Sequence, residues 1–173
     1  MNATPAPALE TDRLRLRGPE PRDLEPFIAF FTSDRAAASG NLFDRPGAWR
    51  LFAATIGHWH LRGFGPWTVT LKPADDPIGL VGCLRFDDWP ENEIVWFLWE
   101  GVEGQGYATE AARAARRQAY RGYGWRTAVS YIAPTNARSI RVAERLGARP
   151  DPGAPHPGTG PQIVYRHPAP EAA

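Results

Sequence analysis

The chain has 173 residues, 20 basic and 19 acidic side chains, 43% hydrophobic and 23% charged residues, the profile of one folded domain and not of a disordered chain. A net charge of +1 gives no global pull toward nucleic acid or an anionic membrane, and no apolar run reaches the roughly 18–20 residues of a membrane helix. The N-terminal stretch lacks the basic start and apolar core of a secretory signal, and the lone cysteine, Cys83, can form neither an internal disulfide nor a cysteine metal site, so a cytoplasmic protein is expected.

Residues 1–8 are Pro/Ala-rich and read as a loose tail, followed by one domain over 9–168 and a short tail over 169–173. Leu14, Arg15, Leu16 and Arg17 alternate, which predicts a strand with one buried face. Pro21 can open a helix, and Leu24, Phe27, Ile28 and Phe31 continue it at i, i+3, i+4, i+7 spacing, with Pro26 held in or just after the first turn. A loop is expected over 32–46. Trp49, Phe52, Ile56 and Trp59 then give a second amphipathic helix that ends near Gly63. The period changes to two, predicting strands over 66–71, 78–86 and 93–99, with a turn at 87–92, as an antiparallel meander. A helix from 108 to about 122, a strand over 127–133, a helix over 136–146 stopped by Gly147, a Pro/Gly-rich loop over 150–161 and a strand over 162–167 complete the chain. The order is β-α-α-β-β-β-α-β-α-β, an α+β single domain.

The segment most suggestive of chemistry is 93–122. A very apolar strand runs into Gly104-Gln105-Gly106-Tyr107-Ala108, where a helix begins. Such a turn presents unpaired backbone N–H groups in one direction, and the helix start carries roughly half a positive charge. Glycines let an anion approach the backbone, so a phosphate or pyrophosphate can bind without lysine. A plain strand-to-helix turn is the alternative. The Gly-Lys-Ser/Thr of a P-loop is absent, and the dinucleotide fingerprint fails because Thr109 stands at its third glycine position.

With these residues in view, the chain resembles the GNAT superfamily of acyl-CoA-dependent N-acyltransferases, and most closely its RimJ/RimL-type branch. The similarity runs from residue 9 through 149. It is carried by the opening Leu9-Glu10-Thr11-Asp12-Arg13, by Gly63-Phe64-Gly65-Pro66-Trp67, by Gly104-Gln105-Gly106-Tyr107-Ala108-Thr109-Glu110-Ala111, and by Asn136-Ala137-Arg138-Ser139 with Glu144-Arg145-Leu146-Gly147. The resemblance implies a mixed central sheet, an antiparallel meander followed by β-α-β-α-β, splayed between its fourth and fifth strands with helices on both faces. It implies acetyl-CoA or another acyl-CoA as cosubstrate, no metal, and a primary amine acceptor, either a small molecule or a protein N-terminus. A homodimer is left open, and no membrane or nucleic-acid partner is implied. Residues 104–109 would hold the pyrophosphate through backbone donors. The backbones of Phe97, Leu98 and Trp99 would bind the pantetheine arm in the splay, where an N–H would also meet the developing oxyanion. Glu103 departs from the family pattern, which places Arg or Gln there; a carboxylate beside a pyrophosphate is repulsive unless it points to solvent.

For catalysis, an alkylamine with a pKa near 10 benefits from a base at neutral pH. The resemblance makes Glu93 the first candidate, an exposed strand-end carboxylate being the alternative. Asp87, Asp88 and Glu91 are read as a solvated turn. Asn136 is either a helix N-cap or, by resemblance, a ligand of the pantetheine arm. Ser139 would face the sulfur and donate a proton to the leaving thiolate, where many family members use a tyrosine at the position of Ala143. Arg138 and Arg141 are further candidates for the 3′-phosphate. His58 and His60, two apart on a helix, face different ways and read as structural. His156 is a second candidate base, and Cys83 reads as a small buried hydrophobe. The acceptor is expected between the 32–46 loop, the second helix and the 150–161 loop, with Phe43, Trp49, Trp59 and Trp67 as aromatic walls favouring a partly apolar acceptor. The competing readings are a non-catalytic acyl-CoA-binding module and a tRNA-directed acetylating toxin.

Overall fold

The computed structural model describes residues 6–158 and 160–170. Eight strands form one mixed sheet in the order β1-β2-β3-β4-β5-β6-β8-β7. They are β1 (Leu9–Glu10), β2 (Leu14–Arg17), β3 (Pro66–Leu71), β4 (Pro77–Leu84), β5 (Glu93–Leu98), β6 (Val129–Ile132), β7 (Arg149–Pro150) and β8 (Ile163–Arg166). The expected meander is present: β2, β3, β4 and β5 pair antiparallel in sequence order. The helices are α1 (Leu24–Phe31), α2 (Asp34–Ala38), α3 (Arg45–Arg62), α4 (Tyr107–Gly122) and α5 (Ala137–Arg145). The α+β architecture with a mixed sheet is therefore as the sequence implies.

Three small elements were not anticipated. The two-residue strands β1 and β7 are too short for a period to be visible. The expected 32–46 loop contains α2, which Ser33 caps by accepting the Ala36 N–H. The first helix also divides, with a 3-10 turn at Pro21–Asp23 leading into α1. Pro26 falls in the first turn of α1, where its missing N–H costs nothing. Residues 1–5 of the expected tail lie outside the described residues, as do 171–173; the Pro7 carbonyl accepts the Trp67 indole N–H at 2.8 Å.

The alternation of side chains on β5 sorts the core into two faces. Ile94 packs on the α4 side with Val81, Cys83, Ala111, Ala112 and Ala115. The small-residue face of α4 lets its backbone lie close to the sheet. Phe97 packs on the other side with Leu80 and with Phe27, Phe30 and Phe31 of α1. A buried ion pair fixes that helix: the Asp23 carboxylate takes two N–H bonds from Arg17 of β2, at 2.7 and 2.8 Å, and one from the Thr68 hydroxyl of β3.

The sheet opens between β5 and β6. These strands run parallel, but only the Glu93 and Val129 pair is in register. Val129 N–H donates to the Asn92 carbonyl at 3.0 Å. In an unbroken parallel ladder Tyr131 N–H would donate next to the Ile94 carbonyl. Instead Tyr131 N–H goes to the Glu93 carboxylate at 3.1 Å, and Ile94 accepts the Ser130 hydroxyl at 2.5 Å. Beyond that point the strands diverge. No helix among the described residues is long and apolar enough to cross a membrane.

Candidate active site

A cleft of about 1580 Å³ runs through this opening, from Phe86, Trp89 and Glu93 past Trp96, Phe97 and Leu98 to the 104–109 turn and α5. Trp99 N–H donates to the Ile78 carbonyl, so Trp99 and, two residues back, Phe97 direct their backbone groups at β4. The backbones of Trp96 and Leu98 therefore face the gap. This corrects the expectation for Phe97 and Trp99, whose N–H groups belong to the β4 ladder, and adds Trp96. The period-two alternation of backbone direction would have singled out even-numbered residues had the β4 register been known. Leu98 faces the gap, but its carbonyl already accepts Arg35 Nε at 3.1 Å.

At the other end of the cleft, Gly104 and Gly106 have φ of 77° and 80°, the left-handed region that other residues adopt only with strain. Gly106 is the N-cap of α4, and no side chain caps the helix. The first-turn N–H groups are left for a ligand. The Thr109 hydroxyl, on the same turn, is buried with no partner among the described residues. Arg13, just before β2, locks the turn: it donates to the Gln105 carbonyl at 2.9 Å and to Glu110 at 2.7 Å, and it lies 4.6 Å over the Tyr107 ring. Thr11 adds a 2.6 Å bond to the same Glu110. No sequence signal links residues so far apart. A second recess of about 690 Å³ adjoins the turn and carries Arg13, Arg113, Arg117 and Arg145. Arg138 and Arg141 line the main cleft and are exposed.

Glu103 does not point freely to solvent. It pairs with Arg35 of α2, lies 3.8 Å from Arg138, and accepts the Gly101 N–H at 2.8 Å. Its own backbone N–H, with these partners, holds its carboxyl below the usual range.

Glu93 is not an exposed strand-end acid; it is 5% exposed. Its side chain is held between Trp89, whose indole N–H donates at 2.6 Å, and the Tyr131 N–H. Burial pushes its pKa from 4.5 up to about 7, against the opposing pull of these two hydrogen bonds. Ser139 also lines the cleft, and its hydroxyl accepts the Trp96 indole N–H at 3.3 Å, leaving its own proton free to donate. The helix begins directly after Asn136, whose Oδ1 caps it by accepting the Ser139 N–H at 3.1 Å. The cap leaves the Asn136 Nδ2 donors and the second lone pair of Oδ1 unused by it, so the cap and the ligand reading are compatible.

The remaining candidates separate cleanly. His156 is exposed and outside the cleft, and its Nδ1 lies against the Pro157 carbonyl at 2.9 Å. His58 is buried with both ring nitrogens against backbone groups, Phe64 and Arg85, and is structural. Asp87 and Asp88 are exposed, as expected of a solvated turn, with Asp87 3.3 Å from Arg62, whereas Glu91 is bound on both oxygens by Arg166 at 2.8 Å. Trp59 and Trp67 are core residues and Trp49 is 54% exposed, so of the four expected aromatic walls only Phe43 lines the cleft. The walls come instead from Phe27, Phe30, Phe31, Phe86, Trp89 and Phe97. Cys83 is buried, as expected.

A buried polar chain stands behind the opening. His167 accepts from Arg116 at 3.2 Å through Nδ1 and donates to the Ser130 hydroxyl at 3.0 Å through Nε2. Burial and the nearby Arg116 push its pKa down to about 3, so it is neutral. Removing the Ser130 hydroxyl leaves the His167 N–H unpaired and returns the Ile94 carbonyl to Tyr131. Ser130→Ala should therefore lower stability by roughly 1–3 kcal/mol and raise the KM for acetyl-CoA as the gap closes. Thermal unfolding and steady-state kinetics check both effects.

A family model described as acetyltransferase (GNAT) domain matches residues 13–149. An acetyltransferase of Agrobacterium tumefaciens str. C58 is 38% identical in sequence, superposes with a TM-score of 0.89, and the match covers 93% of this chain and 94% of that one. The Bacillus subtilis (strain 168) protein YkkB is 29% identical over 154 residues, 80% of this chain and 83% of its own length. The Microcin C7 self-immunity acetyltransferase, crystallised with acetyl-CoA and AMP, shares the fold at 15% identity, with a TM-score of 0.68 over 90% of this chain and 92% of that one.

Proposed function

Because the chain belongs to the GNAT acetyltransferase family, we propose that it transfers acetyl from acetyl-CoA to a primary amine by direct attack in a ternary complex, in the cytoplasm and without a metal. The observation that carries this reading is the buried Glu93 carboxylate, with a pKa of about 7, set where the sheet opens. Glu93 takes the amine proton, directly or through a water. The amine nitrogen attacks the thioester carbon, and the N–C bond forms as the C–S bond breaks. A gap-facing N–H of Trp96 or Leu98 meets the developing oxyanion. The thiolate leaves and takes its proton from the Ser139 hydroxyl, which Trp96 orients and which regains a proton from water as Glu93 releases the amine proton to solvent. The first turn of α4 holds the pyrophosphate with backbone N–H groups and the Thr109 hydroxyl. The motifs at 63–67 and 104–111 support a RimJ/RimL-like branch.

The test is a panel of amines offered with acetyl-CoA while free thiol is followed. Amine-dependent thiol release is expected. Tight acetyl-CoA binding with no release for any amine would favour a non-catalytic module.

The two residues of α5 should separate in kinetics. Asn136→Ala should raise the acetyl-CoA KM and cost about 1 kcal/mol of stability through the lost cap. Ser139→Ala should lower kcat and leave KM nearly unchanged, and modestly, since a thiol with a pKa of about 8.5 is already a fair leaving group. Steady-state kinetics at saturating acceptor decide this; full kcat in Ser139→Ala would mean that the thiolate leaves unassisted.

A further inference from the structure

Resting on the acyl transfer proposed above, we infer that the acceptor is a primary amine carried on an apolar, aromatic body, and that polyamines, aminoglycosides and polar peptide N-termini are poor substrates. Glu93, Val95 and Phe97 alternate along β5 and so share the face that packs against α1. From the carboxylate outward the cleft wall is Val95, Phe97, Phe31 and Phe43. The Phe97 and Phe31 rings are 5.1 Å apart and those of Phe31 and Phe43 6.0 Å, so the apolar path is continuous. It reaches the surface at Phe43, 37% exposed, beside Leu42, 57% exposed.

Two polar side chains along this wall are already committed. The buried Thr55 hydroxyl donates to the Phe52 carbonyl at 2.7 Å, and the Trp89 indole N–H is spent on Glu93. Of the other acids lining the cleft, Asp34 and Glu100 are exposed at its rim and Glu103 is bound to Arg35. One buried carboxylate serves one amine. A second ammonium group drawn into this arm would be a buried charge without a partner, and sugar hydroxyls would lose their water without replacement. An aromatic ring would instead lie against Phe97 and Phe43, backed by the buried Phe31.

The experiment measures kcat/KM for 2-phenylethylamine, ethanolamine, spermidine, kanamycin and a short peptide with an N-terminal serine, with acetyl-CoA saturating. The 2-phenylethylamine value should exceed that of ethanolamine by roughly 100-fold or more, with kanamycin and spermidine no better than ethanolamine. A preference for spermidine, kanamycin or the peptide overturns the acceptor class while leaving acyl transfer intact. If no amine releases thiol, acyl transfer itself fails, and calorimetric binding of 2-phenylethylamine and ethanolamine to the protein with CoA judges the class: equal affinities overturn it, stronger binding of the aromatic amine upholds it. Phe43→Ser at the exposed mouth should lower the ratio of kcat/KM for 2-phenylethylamine over ethanolamine by about 10-fold; an unchanged ratio overturns the path.

Discussion

Gly106→Val should abolish acetyl-CoA binding in isothermal calorimetry while circular dichroism still reports a folded chain. Gly106 sits at φ 80°, a conformation that costs an ordinary residue roughly 1–2 kcal/mol and a β-branched one more. Relief of that strain rotates the peptide units whose N–H groups form the start of α4. A Cβ at Gly106 would also stand 3.6 Å from the Arg13 guanidinium, and the valine methyls would push Arg13 away from the Gln105 carbonyl. The donors are thus misaligned and their clamp is lost together. Gly104→Ala separates strain from crowding, because a Cβ there meets nothing within 4 Å, so a loss in that variant reports the backbone alone. Unchanged affinity in a folded Gly106→Val variant would place the phosphates elsewhere.

Glu93→Gln should cut kcat/KM by roughly 100-fold or more at neutral pH, with a smaller loss at high pH where free amine is abundant. Gln keeps the volume but cannot accept a proton. Trp89 and Tyr131 donate to different oxygens of Glu93, and the Gln NH2 replaces one of these acceptors with a donor, so part of the local hydrogen bonding must rearrange. A thermal-unfolding measurement on the same sample distinguishes lost chemistry from lost fold. A variant that is folded and fully active would remove Glu93 from the reaction. The burial that tunes this acid has a cost as well. The folded chain retains a proton that the unfolded chain releases between pH 4.5 and about 7, so the Glu93 contribution to stability falls as pH rises through that window.

Most of the fold was legible because its elements are long enough to show a period. The meander at 66–98 and the helices α3, α4 and α5 follow from alternation, helical spacing and stop signals. The elements that escaped, β1, β7 and α2, are two to five residues long and owe their existence to neighbours rather than to pattern. The glycine turn was legible for a related reason: Gly104 and Gly106 are demanded by backbone angles that are local to the turn. The partners that make these residues useful were not. Arg13 reaches Gln105, Arg35 reaches Glu103, and Tyr131 reaches Glu93 across sheet and cleft. Each pairing depends on strand register and on how the helices lie over the sheet, which no single segment encodes. The aromatic walls failed likewise. Proximity in the chain to the 32–46 loop and α3 suggests Trp49, Trp59 and Trp67 as walls, while the packing puts Trp59 and Trp67 in the core and leaves Phe27, Phe30 and Phe31 of α1 among the cleft residues.

The most direct measurement of the account is the pH dependence of kcat/KM for acetyl transfer by the unmodified protein, followed by thiol release between pH 5 and 9. Glu93 acts as a base only when ionised, so activity should climb as pH rises and level off above a midpoint near its pKa of about 7. That limb should be missing in Glu93→Gln. A limb with the same midpoint in both proteins, or a midpoint close to the ordinary carboxylate value of 4.5, would contradict a buried Glu93 as the base.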